Sequence, residues 1–273
     1  MAGGSLDSRV VPHDRPYGPE AILPIRIHDR SGSGVPENMA WAYVQLGNLW
    51  FGLGNLEEAA GAYDLSSKML DAYAPALAGQ ARVAVARGDL DQAAALYRQA
   101  FDRMPLPEHA IALGDVYAEM GDEQNAEEQY ELVRAIDRLF QANGVNTDLE
   151  TALFFADHEL APETSLERAR AAYQARPSIH ASDALAWTLY KTGNQREARR
   201  YASEALELGT RDPLKLFHAG MIARALGQDE QAREHLQRAV ELSPHFSLLY
   251  ADTAAAALDE LEGGEHTNPG GND

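Results

Sequence analysis

Apolar residues recur along most of the chain at the three- and four-residue spacing of amphipathic helices, and short polar turns interrupt them at regular intervals. Five of these turns begin with a glycine that is followed, five residues later, by an alanine. The glycines are spaced 34, 33, 72 and 34 residues apart, at Gly54, Gly88, Gly121, Gly193 and Gly227. The interval of 72 leaves room for one degenerate copy, at 164–169, which lacks the glycine. The pattern therefore predicts six copies of one helical unit.

Each unit is predicted to contain two helices joined by the glycine turn. Glycine readily adopts the left-handed conformation that ends a helix, and the small alanine lets the two helices cross closely. A large side chain is expected four residues after the alanine, at Tyr63, Tyr97, Tyr130, Tyr173 and Leu236. The fifth unit has Ala202 at this position. Pro105 and Pro244 are expected to stop the second helix of their units.

This arrangement resembles the tetratricopeptide repeat family. The third unit carries most of the family pattern, in Leu113, Gly114, Tyr117, Gly121, Ala126 and Tyr130, and the resemblance covers about 40–244. It implies an all-α fold, a right-handed solenoid of about six helix-turn-helix repeats whose first helices line a concave face. It also implies non-catalytic binding of a protein segment or ligand, in the manner of an assembly factor or adaptor.

Composition and periodicity divide the chain into four parts. We predict an irregular arm at 1–38, the repeat array at 39–244, a capping helix at 245–262 and a disordered tail at 263–273. The repeats are expected near 40–73, 74–106, 107–142, 146–178, 179–212 and 213–244. The fourth repeat is the least regular, because Pro177 cuts its second helix short. Thr147 and Glu150 have capping-box spacing at its start.

The net charge of the sequence limits the kinds of molecule that are expected to bind it. The 273 residues include 23 Lys and Arg against 42 Asp and Glu, which gives a net charge of −19. A surface this acidic repels nucleic acid and anionic membranes. A basic protein or peptide partner fits the charge better, and the alternative is that the charge serves only solubility. The bias towards Arg over Lys, together with many alanines, is typical of a GC-rich bacterial genome.

The absence of cysteine excludes thiol catalysis and cysteine-zinc sites. No apolar run is long enough to span a bilayer, so membrane insertion is not expected. The first residues lack the apolar core of a signal peptide, which predicts a cytoplasmic protein. The alternative is an exported or periplasmic protein, if a leader has been removed ahead of Leu6.

The resemblance places a set of side chains on the concave face, where they would contact a partner. The middle of the array contributes acidic residues, Glu108, Asp115 and Glu119. The carboxy-terminal half contributes mainly aromatic and histidine side chains: Phe154, His158, His180, Asp183, Trp187, Tyr190, Phe217, Met221 and Arg224. Aromatic residues with a few polar groups favour a peptide or ligand groove, and the alternative is that they only pack between neighbouring helices.

A second hypothesis is a small-molecule or divalent-metal binder in repeats 4–6. His180 and Asp183 lie three residues apart on one helix face, and His158 lies on the preceding first helix. The alternative for this pair is a hydrogen bond that orients Trp187. No P-loop, dinucleotide-binding glycine motif or HExxH motif is present, so neither a cofactor nor an enzyme activity is predicted. His218 is interpreted as a packing residue rather than a catalytic base.

Overall fold

The chain was analysed in a computed structural model, which describes residues 35–144 and 148–263. The predicted amino-terminal arm, except for its last residues, and the predicted tail, except for Gly263, lie outside these ranges, as does Thr147 of the predicted capping box. Within the two described ranges the chain forms thirteen helices and no strand, which confirms the all-α fold predicted from the periodicity.

The helices follow one another as six pairs and a single last helix. Their bounds are α1 Pro36–Gly52, α2 Leu56–Met69, α3 Ala74–Ala86, α4 Leu90–Arg103, α5 Pro107–Glu119, α6 Glu123–Ala142, α7 Asp148–Asp157, α8 Pro162–Ala175, α9 Ile179–Lys191, α10 Gln195–Leu206, α11 Pro213–Ala225, α12 Asp229–Leu242 and α13 Ala251–Gly263. Helix α1 begins at Pro36, so three residues assigned to the arm are helical. Odd-numbered helices contact one another, as in α1–α3, α5–α7, α7–α9 and α9–α11, and form the inner layer of the solenoid.

The turns inside the repeats follow from their sequence. Gly54 adopts φ 74°, and the next residue, Asn55, donates its amide to the carbonyl of Trp50 at 2.9 Å, which closes the end of α1. The fourth repeat has no glycine here. Its turn instead places Glu159 and Ala161 in the left-handed region, at φ 54° and 42°, a conformation that costs a non-glycine residue about 1–2 kcal/mol.

The two helices of a repeat interlock through small and large side chains. Tyr63 of α2 lies against Gly47 of α1 and Gly79 of α3, where any added Cβ would collide with its ring. Tyr130 lies against Gly114 in the same way, with 2.5 Å between its ring and an ideal Cβ. The close crossing predicted from the alanines of the second helices is therefore also permitted by glycines of the first helices, which make room for the aromatic rings.

The last repeat reaches back to the first. An ideal Cβ on Gly54 would lie 2.9 Å from the carbonyl oxygen of Leu242, at the end of α12. The predicted capping helix begins only at Ala251, because the preceding residues 243–250 form turns that enter the concave side of the array. Helix α13 then packs on α12 and buries Ala254 and Ala257. Among the described residues, no helix is both long and apolar enough to cross a membrane.

Candidate functional site

A cavity of about 240 Å³ lies on the concave side of the array. Its walls come from the inner helices of repeats 1–4, together with Tyr97 of α4, Leu214 of α11 and the turn segment after α12. The lining residues are Phe51, Arg82, Val85, Tyr97, Ala112, Asp115, Val116, Asp157, Leu214 and residues 245–250. The site therefore combines an apolar surface with one guanidinium group and two carboxylates, the composition of a pocket that orients a ligand through a few polar groups.

Residues 245–250, which we call the plug segment, fill the concave side next to repeats 4–6. Tyr250 stacks on Phe217 with ring centroids 4.9 Å apart, and Phe246 lies 5.8 Å from the same ring. Leu248 packs against the hydrophobic cluster of repeats 2 and 3. One short segment thus contacts both halves of the inner surface and covers the aromatic half.

Asp157, at the end of α7, joins the plug segment to the array. Its Oδ1 accepts hydrogen bonds from Trp187 Nε1 and from the Tyr250 hydroxyl, both at 2.7 Å. Burial raises the pKa of Asp157 above 3.8, against the opposing influence of His218 and of the two donors. Its own burial and the same carboxylate raise the pKa of Tyr250, so Tyr250 keeps its proton and remains a donor.

Trp187 forms the centre of the aromatic half. Its ring stacks on His218 at 4.2 Å and on Tyr190 at 5.0 Å. His218 Nδ1 lies 3.0 Å from Asp183 Oδ1, while His218 Nε2 is buried without a hydrogen-bond partner. The packing role expected for His218 agrees with its 1 % exposure.

The acidic side of the site lies on α5. Tyr130 donates to Asp115 Oδ1 at 2.9 Å, and His158 Nε2 lies 3.1 Å from the same oxygen. Burial and the neighbouring Asp115 raise the pKa of Tyr130. Glu108 and Glu119 are exposed, and by helical spacing they share the face of α5 that carries Ala112 and Asp115.

Arg82 marks the opposite wall of the cavity, between repeats 1 and 2. Its guanidinium donates to Asn48 and, at 2.9 Å, to the hydroxyl of Tyr63. It also lies 5.2 Å from the ring centroid of Phe51. These contacts hold the charged group at the cavity wall and leave the neighbouring carbon surface of Phe51 and Val85 to face a ligand.

The structure divides eleven of the twelve site residues predicted from the sequence into three groups, and Tyr190 is described after them. Phe154, Asp183, Trp187 and Phe217 are buried, with exposures of 1 %, 5 %, 2 % and 0 %, so they pack in the interior instead of lining an open groove. Trp187 and Phe217 are covered by the aromatic rings of the plug segment. Phe154 packs against Tyr130 and Phe155, and Asp183 pairs with His218.

The second group lies away from the cavity. His180 is exposed at the start of α9, Met221 packs in the cluster beneath α13, and Arg224 pairs with Glu260 of α13. The third group remains at the site: Asp115 lines the cavity, His158 contacts Asp115, and Glu108 and Glu119 lie on the cavity-facing side of α5. Tyr190 is half-buried against Trp187.

The proposed metal ligands are not brought together. Asp183 pairs with His218, whereas His158 contacts Asp115 and His180 is exposed at the surface. Across the described parts of the chain, no group of three or more histidine, aspartate or glutamate side chains is arranged to hold a metal ion.

Sequence reasoning missed the plug segment and the central role of Asp157. The helical spacing of Phe246, Leu249 and Tyr250 predicts a helix face, and only the late start of α13 places these residues in the concave side. The partners of Asp157 lie 30 and 93 residues away in sequence, beyond the reach of any local pattern.

Comparison with known proteins gives the same architecture. The sequence model described as "Tetratricopeptide repeat" matches residues 79–138 and 184–245. No curated protein matches the sequence. A solved tetratricopeptide repeat protein from Parabacteroides merdae is 14% identical, with 82% of this chain and 84% of that chain covered, and superposes with a TM-score of 0.52. This likeness shows a shared fold.

Two further solved structures match at lower similarity. The Cut9–Hcn1 hetero-tetramer of the APC/C is 19% identical over 81% of this chain and 42% of that chain, with a TM-score of 0.47. PilF of Pseudomonas aeruginosa is 19% identical over 81% of this chain and 99% of that chain, with a TM-score of 0.41.

Proposed function

Because the chain is a tetratricopeptide repeat protein, we propose that it is a non-catalytic binding protein that holds a segment of a partner protein in the concave cavity of repeats 1–4. The observation that carries the proposal is the cavity of about 240 Å³ left between the inner helices and the plug segment. A volume of this size accommodates one large side chain of a bound segment, as anchor residues do at interfaces.

The lining supports an apolar anchor. Phe51, Val85 and Tyr97 contribute carbon surface on the side of repeats 1 and 2, and Leu248 of the plug segment faces them. Removing such surface from water is the main favourable contribution to binding an apolar side chain. An aromatic or large aliphatic residue of the partner is therefore the expected anchor.

The charges around the cavity support a basic segment. Asp115 lines the cavity, and Glu108 and Glu119 flank it on the exposed face of α5. The chain as a whole carries a net charge of −19, which attracts a basic segment from a distance. Complementary charges accelerate association and set the orientation of the bound segment. We therefore expect lysine or arginine residues beside the apolar anchor.

Selection from a random peptide library on the purified chain tests this proposal. The expected peptides combine one large apolar residue with neighbouring lysine or arginine. Ala112→Trp should abolish their binding, because Ala112 lines the cavity and the added ring occupies it. Val85→Phe adds a smaller ring to the cavity from the opposite wall and should weaken binding of these peptides.

A matched control places the same bulk outside the cavity. Ala225→Trp lies at the exposed end of α11 and should leave binding and helicity unchanged. Selected peptides that bind equally well to the chain and to Ala112→Trp would contradict the cavity as the binding site. Failure of the library to yield any peptide that binds the chain would also contradict the proposal.

A further inference from the structure

A second gap lies between the fourth repeat and helix α9, and the proposed partner site does not use it. Its volume is about 210 Å³. It is lined by Phe155, Ala156, Glu159, Pro162, Ser165, Thr188, Lys191 and Thr192.

The hydroxyl of Thr188 is unpaired in this gap. Thr188 is 0 % exposed, and its Oγ1 has no hydrogen-bond partner. The two other hydroxyls of the lining are already engaged: Ser165 donates to the carbonyl of Ala152 at 2.9 Å, and Thr192 donates to that of Thr188 at 2.8 Å. A buried polar group without a partner destabilises the fold, so its retention beside a gap favours a role in binding a ligand.

Lys191 supplies a positive charge one turn further along α9. Its Nζ lies 2.7 Å from Glu159 Oε1, and the side chain of Glu159 is 77 % exposed. An ion pair with so exposed a carboxylate contributes little to stability. The pair shows that the ammonium group donates to a carboxylate at this position. A ligand can replace Glu159 because that side chain is free to turn towards solvent.

The start of helix α8 adds a second attraction for anions. Pro162, the first residue of α8, lines the gap but has no amide hydrogen; the next amides of the helix belong to Glu163 and Thr164, and the preceding Ala161 offers no side chain to cap them. The amino-terminal end of a helix carries a partial positive charge that favours negative ligands. Phe155 and Ala156 provide an apolar wall next to these polar groups.

We propose that this gap binds a carboxylate group carried on a short apolar chain. Lys191 and the start of α8 balance its charge, Thr188 donates its hydroxyl to one carboxylate oxygen, and Glu159 leaves Lys191. The same chemistry is offered by a free short-chain acid and by the carboxyl terminus of a peptide, so both are included in the test.

Calorimetric titration of the full chain with butyrate, and with a tripeptide that has a free or an amidated carboxyl terminus, tests the proposal. We expect millimolar or tighter binding of at least one carboxylate probe and none of the amidated peptide. Thr188→Val and Lys191→Met should each weaken binding by about tenfold, which corresponds to the loss of one charge-assisted hydrogen bond or ion pair. Glu159→Gln should strengthen binding, because the internal competitor is lost.

Stability provides a second measurement on the same variants. Thr188→Val should raise the melting temperature by about 2–4 °C, because it removes a buried unpaired hydroxyl without changing the volume. Thr192→Val is the matched control: it removes a hydroxyl that is already bonded to the backbone, and carboxylate affinity should change by less than about twofold.

The source of the ligand follows from which probe binds. Binding of butyrate identifies a free acid, and binding of the peptide alone identifies a chain terminus. The proposal is wrong if neither probe binds at millimolar concentration, if Thr188→Val binds like the unaltered chain, or if Thr188→Val lowers the melting temperature. Peptides selected for the concave cavity should bind all four variants equally, so the two proposals fail separately.

Discussion

On the inner surface of repeats 1–3, Phe51, Arg82 and Tyr97 surround a cavity, whereas in repeats 4–6 the corresponding surface is packed with Trp187, Phe217 and the chain's own Tyr250. Both halves are built from the same helical pairs with side chains at the same inward positions. The plug segment covers one half and only borders the other. Inward position in a repeat therefore does not by itself distinguish a binding residue from a core residue.

The largest expected difference between the two halves is the loss of unfolding free energy when a large side chain is cut back to alanine. Trp187→Ala should lower the free energy of unfolding by about 3–5 kcal/mol, because it removes a large buried ring and one of the two donors to Asp157. Thermal and chemical denaturation measure this change. Trp41→Ala is the control, since Trp41 lies on α1 with 57 % of its surface exposed, and it should cost less than about 1 kcal/mol. Equal melting temperatures for the two variants would overturn the comparison.

The contact between the plug segment and the array can be weakened without creating a cavity. Tyr250→Phe removes the hydroxyl that donates to Asp157 and should cost about 1–3 kcal/mol, because the buried carboxylate loses a partner. Tyr173→Phe removes a hydroxyl that donates to Glu204, which is half-buried whereas Asp157 pairs inside the aromatic half, and it should cost less. If the two variants denature alike, the plug segment is not held by this hydrogen bond.

Charge reversal tests whether the half with the cavity, repeats 1–3, binds a basic segment. Glu108→Lys with Glu119→Lys should weaken binding of a basic peptide by about tenfold and reduce its dependence on salt, while the melting temperature stays nearly unchanged. Asp115 is left intact because it accepts a hydrogen bond from Tyr130. The control reverses two exposed carboxylates on second-helix ends, Asp102 and Glu207, and so alters net charge equally. An equal loss in both variants would mean that only net charge matters.

The smallest expected effect is a pH dependence of the unfolding free energy, which arises from Asp157 in the half covered by the plug segment. The folded-state pKa of Asp157 is raised, so the protonated form is favoured in the folded chain. Protonation of Asp157 therefore stabilises the folded chain. This contribution is fully present below the unfolded-state pKa of about 3.8 and is lost as pH rises through the raised folded-state pKa. The unfolding free energy of the unaltered chain minus that of Asp157→Asn should therefore fall with rising pH, by about 1.4 kcal/mol for each pH unit that separates the unfolded from the folded pKa. A difference that rises over this range would contradict the raised pKa.

Much of the architecture was predictable because its causes are local. The five glycines mark the ends of first helices, the alanines permit close crossing, and Tyr63 and Tyr130 fill the space that Gly47 and Gly114 leave. The predicted start of the capping helix, at 245, is too early, because Phe246 and Tyr250 have helical spacing and nothing nearby in sequence opposes a helix.

The sequence by itself determined six helical pairs and an acidic chain with a net charge of −19. Only the tertiary structure decided which inward residues remain accessible, since that depends on where residues 245–250 run once the last repeat meets the first at Gly54. Helical periodicity and turn conformation are set within a few residues, whereas the contact of Asp157 with Tyr250 joins positions 93 residues apart. Such a contact is fixed by the curvature of the whole array, which no segment of the sequence encodes alone.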